Sequence, residues 1–262
     1  MKKFLIIVKE NYIISILTLI FLTLTITAYM FLALDKRLWP FQDGGLIHSY
    51  FKTEDYKADA YWANEIKKGG YVLHFRHGQR EKWDTVTAYD AYEIVNSIDA
   101  RNSSFYRATC LTERGIEDSK LISKVLAHAE IPVGKIISSP SCRAKETAIY
   151  AFGKVDQYDT SILHATAVDP DEWDLMAKRY KNLLLDNTSK NYNLIISGHG
   201  NTIDKYYTRI LEKKDLPPSR EIANILEAGF YVLKVEDGKV YYKHKFYSLR
   251  NFAMHIYSLK DF

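Results

Sequence analysis

A histidine set among arginines at the end of an apolar run carries the clearest chemistry in this chain: Tyr71-Val72-Leu73-His74-Phe75-Arg76-His77-Gly78-Gln79-Arg80. The apolar, partly β-branched residues suit a buried strand, and Gly78 breaks the run where Arg76, His77 and Arg80 cluster. A phosphate is the partner such a cluster fits. Imidazole can attack phosphorus and carry a covalent intermediate, while guanidinium forks neutralise and orient the phosphoryl oxygens.

Two further stretches repeat the theme. Lys135 to Pro140 reads as a second strand, after which Ser141-Cys142-Arg143-Ala144 opens a helix with Arg143 in its first turn. Leu194-Ile195-Ile196-Ser197-Gly198-His199 is a third apolar run ending in a histidine. In open α/β sheets the ligand sits outside the carboxyl ends of the strands, so His77, Arg143 and His199 are expected to converge on one pocket.

At this point the chain resembles the histidine phosphatase superfamily, which includes cofactor-dependent phosphoglycerate mutases and histidine acid phosphatases. The resemblance rests on Arg76-His77-Gly78 with Arg80, then Leu111-Thr112-Glu113-Arg114-Gly115, then Ser138 to Ala148, then Gly198-His199-Gly200-Asn201-Thr202-Ile203, in that order. It implies a three-layer α/β/α fold with a mostly parallel sheet. It also implies a phosphohistidine at His77, with Arg76, Arg80, Arg143 and His199 spreading the charge of the transferring phosphoryl group. An acidic side chain is implied as proton donor to the leaving alcohol, about where Asp169, Asp171 and Glu172 stand. The same residues also read as a helix start, with Asp169 as cap, Pro170 at the first position and Glu172 returning the bond. Hydrolysis of a small phosphomonoester, a sugar or envelope phosphate for example, is the favoured activity. The alternatives are a mutase-like phosphotransferase and a catalytically silent phosphate-binding module.

Other elements must position these groups. Residues 56–68 read as a helix that Gly69-Gly70 ends. Ile116, Leu121, Ile122, Val125 and Leu126 recur at helical spacing, as do Trp173, Met176, Ala177, Tyr180, Leu183 and Leu184. A helix is expected from Asn201 to about Lys213, and Phe230–Val235, Glu236-Asp237-Gly238 and Lys239–Tyr242 read as a hairpin at an antiparallel edge. Between Arg80 and Leu111 lies an insertion without a sustained period, holding Trp83, Tyr89, Tyr92, Phe105 and Tyr106; it leaves the catalytic strand end and could shape the pocket rim. His74 can be core or support for the site.

At 262 residues, with 47% hydrophobic and 26% charged residues, the chain holds one globular domain, taken as residues 41–262, plus an N-terminal segment, residues 1–40. A net charge of +4 without a polybasic block gives no reason to invoke nucleic acid. Residues 13–34 contain no charge, Pro or Gly and are long enough to cross a hydrocarbon core of about 30 Å as a helix. The expected arrangement is a retained single-pass anchor rather than a cleaved signal peptide. Lys2, Lys3 and Lys9 before the span, against Lys36 and Arg37 after it, favour a cytoplasmic amino terminus by a narrow margin. That orientation puts the catalytic domain on the periplasmic side of a bacterial inner membrane, and the opposite topology stays open. Trp39 to Gly45 reads as an interfacial aromatic and a linker.

No Cys or carboxylate cluster has metal-ligand spacing, so neither metal nor other cofactor is expected. The two cysteines, Cys110 and Cys142, both fall at the carboxyl-end face of the sheet. A disulfide there would pin the Arg143 loop to the pocket rim; two separately buried thiols are the alternative.

Overall fold

The computed structural model describes residues 12, 16, 18–27, 54–81, 89, 99–103, 105–200, 202, 209–212, 216–217 and 219–257. Two compact units are present, Met1–Tyr56 and Lys57–Phe262. In the first, residues 18–27 are helical, and Leu19, Ile20, Phe21, Leu22, Leu24 and Ile26 are exposed around the helix. Thr23 and Thr25 turn their hydroxyls back onto the carbonyl oxygens of Leu19 and Phe21, at 2.7 and 2.5 Å. No helix of the described residues is long and apolar enough to cross a membrane. Much of the span expected over 13–34, and the linker from Trp39 to Gly45, lies outside the described residues.

Helix α1 (Glu54–Glu65) tightens into a 3-10 turn, Ile66–Lys68, and ends at Gly69 and Gly70, both at positive φ. At Gly69 a Cβ would also stand 2.5 Å from the carbonyl oxygen of Asn191, so no other residue fits without a shift. The turn delivers the chain to β1 (Val72–Arg76). Then follow α2 (Glu113–His128), β2 (Val133–Ser138), α3 (Cys142–Phe152), the short β3 (Gln157–Tyr158), α4 (Trp173–Asn187), β4 (Asn193–Gly198), α5 (Ser219–Ala223), β5 (Phe230–Glu236), β6 (Lys239–Phe246) and α6 (Leu249–Ala253).

The six strands form one sheet in the order β3-β2-β4-β1-β5-β6. β1, β4, β2 and β3 run parallel, while β5 pairs antiparallel with β1 and β6 with β5. Helices cover both faces, which is why β4 is buried at every position and β1 at all but its last. On one face Met176, Ala177, Tyr180, Leu183 and Leu184 of α4 pack with Val72, Ile196 and Tyr231. On the other, Ile122, Val125 and Leu126 of α2 and Ala148 and Ala151 of α3 pack with Leu73, Phe75 and Phe230. The period-two alternation of β1 thus feeds both cores. At the hairpin, Asp237 and Gly238 both take positive φ, as a two-residue turn of the I′ kind requires.

One expected helix face is corrected. Leu121 is 47% exposed, and α2 instead buries Gly115 and Ser119 ahead of Ile122, Val125 and Leu126. The reason lies at the strand end: a Cβ on Gly115 would come within 2.1 Å of the carbonyl oxygen of Gln79, and one on Gly78 within 2.6 Å of that of Gly115. Two glycines let α2 press its first turn against the loop that follows His77. Of the helix expected from Asn201, Gly200, Thr202, Arg209 and Ile210 are helical, and most of the rest lies outside the described residues.

Candidate active site

Three strand ends meet at the carboxyl edge of β1, β4 and β2. The backbone N–H of His77 donates to Gly198 O at 3.0 Å, and that of Ser139 to Ser197 O at 2.9 Å, so the ladder continues one residue past each strand. His77 follows β1, His199 follows β4, and Arg143 sits in the first turn of α3 behind Ser141. His77 is 3% exposed, and Arg143 and His199 are fully buried.

The rings of His77 and His199 lie 5.3 Å apart, edge to face. Arg143 Nη2 donates to His199 Nδ1 at 3.2 Å, which makes that nitrogen the acceptor and puts the ring proton on Nε2, within 3.1 Å of Ser141 Oγ and 3.2 Å of Ser139 Oγ. His77 has the other tautomer. Its Nδ1–H donates to the carbonyl oxygen of Gly78 at 2.7 Å, leaving the lone pair on Nε2. Gly78 N–H donates to Thr147 Oγ1 at 2.9 Å, and that hydroxyl donates to Arg143 O at 2.8 Å, locking the loop after His77 to the helix that carries the arginine.

Burial, then Arg143 and Arg76, hold the His77 pKa well below the ordinary histidine value. Burial, then Arg143 and His77, do the same to His199. Both rings are therefore neutral near pH 7, the state a nucleophile needs. Arg76 is anchored through Nη1 to Ile225 O at 2.6 Å and faces Glu227 at 3.9 Å. Arg80 is half-buried, donates to the carbonyl oxygen of Glu81, and adds its charge to the field at His77. All five expected residues share one site.

The three expected acids, Asp169, Asp171 and Glu172, stand just before α4. Asp169 and Glu172 are exposed at the approach to α4. Asp169 accepts from Asp171 N–H at 3.0 Å and so caps a 3-10 turn, Pro170–Glu172, rather than α4 itself. His74 is core: its Nδ1 is 2.7 Å from Tyr180 Oη, it bonds to the backbone of His199, and burial pulls its pKa down to about 3. His164 lies outside the four motif segments, yet its ring meets that of His199 edge to face at 5.4 Å. Ser139, Ser141 and Thr147 lie inside the motif read from sequence, and only the fold shows what their hydroxyls hold.

Cys110 and Cys142 form a disulfide with α-carbons 4.8 Å apart. Closing this loop stabilises the fold by about 3 to 4 kcal/mol in the chain-entropy model. The bond joins the end of the Arg80–Leu111 insertion to the residue before Arg143. Glu146 reinforces it, accepting from Arg101 Nε at 2.8 Å and from Leu111 N–H at 2.8 Å. Cys110, Cys142 and Glu146 cluster as a metal site would, but both sulfurs are committed to each other. Tyr89, Phe105 and Tyr106 pack edge-on or tilted beside this corner, whereas Trp83 and Tyr92 lie outside the described residues.

No protein-family model and no curated protein matches the chain. Solved structures do. The protein histidine phosphatase SixA bound to tungstate aligns at 14% identity over 69% of this chain and 98% of its own, with a TM-score of 0.45. A phosphoserine phosphatase from Entamoeba histolytica aligns at 14% identity over 71% and 99%, also at 0.45. A mycobacterial glucosyl-3-phosphoglycerate phosphatase aligns at 18% identity over 68% and 98%, at 0.44. All three of these solved structures are described as phosphatases, one of them as a protein histidine phosphatase.

Proposed function

We propose that this chain is a membrane-anchored phosphomonoesterase that works through a phosphohistidine at His77. The observation that carries the reading is the His77 imidazole itself, neutral, with Nδ1–H tied to Gly78 O and Nε2 carrying the lone pair, in the field of Arg76, Arg80 and Arg143. Nε2 attacks phosphorus, and the ester P–O bond breaks in line. The guanidinium groups and His199 take up the charge on the remaining phosphoryl oxygens, so the protein's part is positioning and electrostatics. Water then cleaves the P–N bond.

Hydrolysis is favoured over phosphoryl shuttling because a tethered domain is separated from the soluble pool on which a mutase acts. Exposed apolar side chains all round residues 19–26, with Thr23 and Thr25 satisfied within the helix, support a lipid setting for that segment. The disulfide supports placing residues 41–262 on the oxidising, periplasmic side. Small phosphorylated molecules of that compartment, such as sugar or envelope phosphates, are the substrates this reading points to.

The full chain in detergent should hydrolyse an aryl phosphate in excess chelator and yield a phosphoenzyme that survives alkaline but not acid quenching. Loss of all turnover on chelation would contradict the reading.

A further inference from the structure

Two imidazoles pack edge-on against the ring of His199. One is His77; the other, His164, has no part in the chemistry so far. Its position is built from both sides. Ile162 lies against Gly198, where a Cβ would meet its methyl carbon at 2.6 Å, and Thr202 Oγ1 donates to Leu163 O at 2.8 Å, so the segment before His164 is fastened to the end of β4 and to the chain beyond it. After it, Ala165–Ala167 form a 3-10 turn that His164 caps: Nδ1 accepts from Thr166 N–H at 3.3 Å and lies 2.6 Å from Thr166 Oγ1. Arg143, Arg80 and Arg76 all act on the ring electrostatically. Unlike the buried His77 and His199, His164 is partly exposed.

Exposure decides the role. In an in-line displacement the leaving oxygen carries the rest of the substrate and must point toward the opening, so its proton donor has to stand at the mouth, while the groups that hold the other phosphoryl oxygens line the floor. We infer that His164 protonates the leaving oxygen as His77 attacks phosphorus, and then accepts a proton from the water that cleaves the phosphohistidine. The inference rests on the phosphatase reading above and names His164 in place of Asp169, Asp171 and Glu172, the acids expected from sequence, which are exposed just before α4.

The steps balance. His77 Nε2 bonds to phosphorus as the ester P–O bond breaks, and the departing oxygen takes the Nε2 proton of protonated His164, leaving an alcohol and a neutral ring. Water then bonds to phosphorus, its proton passes to His164 Nε2, and the P–N electron pair returns to His77. Without a bound anion, burial and the three arginines hold the His164 pKa down to about 3. A phosphate dianion offsets the charge of the three arginines and raises the affinity of the ring for a proton. The Thr166 hydroxyl donates to Nδ1 in the resting ring, whose proton is on Nε2, and accepts from Nδ1–H both in the charged ring and in the neutral ring left once Nε2 has given up its proton.

The test compares kcat/KM of the full chain for para-nitrophenyl phosphate, whose phenolate departs without a proton, and for an alkyl phosphate, glycerol phosphate, whose alkoxide cannot. His164→Ala and His164→Gln should lose on the order of 100-fold or more on the alkyl ester and only a few-fold on the aryl ester. Unchanged thermal unfolding of His164→Gln checks that the fold holds. Equal losses on both esters would make His164 a positioning residue for His199 and overturn the donor role. So would an alkyl-selective loss in Glu227→Gln or Asp169→Asn with none in His164→Gln. A wild-type chain that hydrolyses neither ester would overturn the phosphatase reading itself, and this inference with it.

Discussion

The carboxyl ends of β1, β2 and β4 and the β5–β6 hairpin belong to one sheet and are buried by opposite means. The hairpin side is an apolar, largely aromatic stack: Phe75, Phe230, Phe246 and Phe252 are fully buried with ring centroids 4.7 to 5.4 Å apart. The strand ends instead bury Arg143, His199, Ser138, Ser139, Ser141, Thr147 and Ser197, all at 0% exposure. A phenylalanine cluster gains from leaving water, whereas a buried guanidinium and neutral histidines do not. What the strand ends gain is orientation, and the disulfide and the Thr147 hydroxyl help hold it in place. Aromatic burial is concentrated on the hairpin side and preorganised charge at the strand ends.

The largest expected effect separates the two regions outright. His77→Ala should reduce turnover on the order of 10⁴-fold or more, as loss of a covalent nucleophile does, while moving thermal unfolding little. Calorimetry beside a rate assay checks it, and near-native turnover would mean that His77 is not the nucleophile.

Phe230→Ala should do the reverse. It opens a cavity among Phe75, Phe246 and Phe252 and should cost about 3 to 5 kcal/mol of stability, with kcat per folded molecule held within a few-fold. A denaturant titration read together with activity below the midpoint tests this. A large drop in kcat at full folding would show that the hairpin core positions the site after all.

The smallest effect sharpens the comparison through pH. The folded-state pKa of His74 is about 3, below the ordinary histidine value of 6.5, so between those limits the unfolded chain binds the extra proton. Its contribution to stability is complete above about pH 6.5 and is lost as pH falls toward 3, with His77, His164 and His199 acting in the same direction. Replacing His74 with Gln should reduce the dependence of unfolding free energy on pH in that window by the equivalent of one proton. An unchanged slope would contradict the depressed value.

Much of this was legible in order along the chain. Arg76-His77-Gly78, the Ser138–Ala148 segment and Gly198-His199 were readable as strand ends because apolar runs stop abruptly at residues suited to phosphate, and the Asp237-Gly238 turn because both positions demand positive φ. Leu121 misled because helical spacing reports a face without saying which neighbour covers it; the two close-packed glycines, Gly78 and Gly115, rotated that face. The Asp169 cap was readable as local chemistry, and its place on a 3-10 turn was not.

Local order along the chain, then, determined which residues stand at the strand ends, since strand, turn and cap signals act over a few neighbours. Tertiary structure alone decided that Cys110 meets Cys142, that His74 turns to Tyr180 rather than to phosphate, and that His164 comes to rest on His199. Each of these joins residues 32 or more positions apart. No local pattern encodes such a meeting; it follows from the parallel order of the strands, which brings distant loops to one edge.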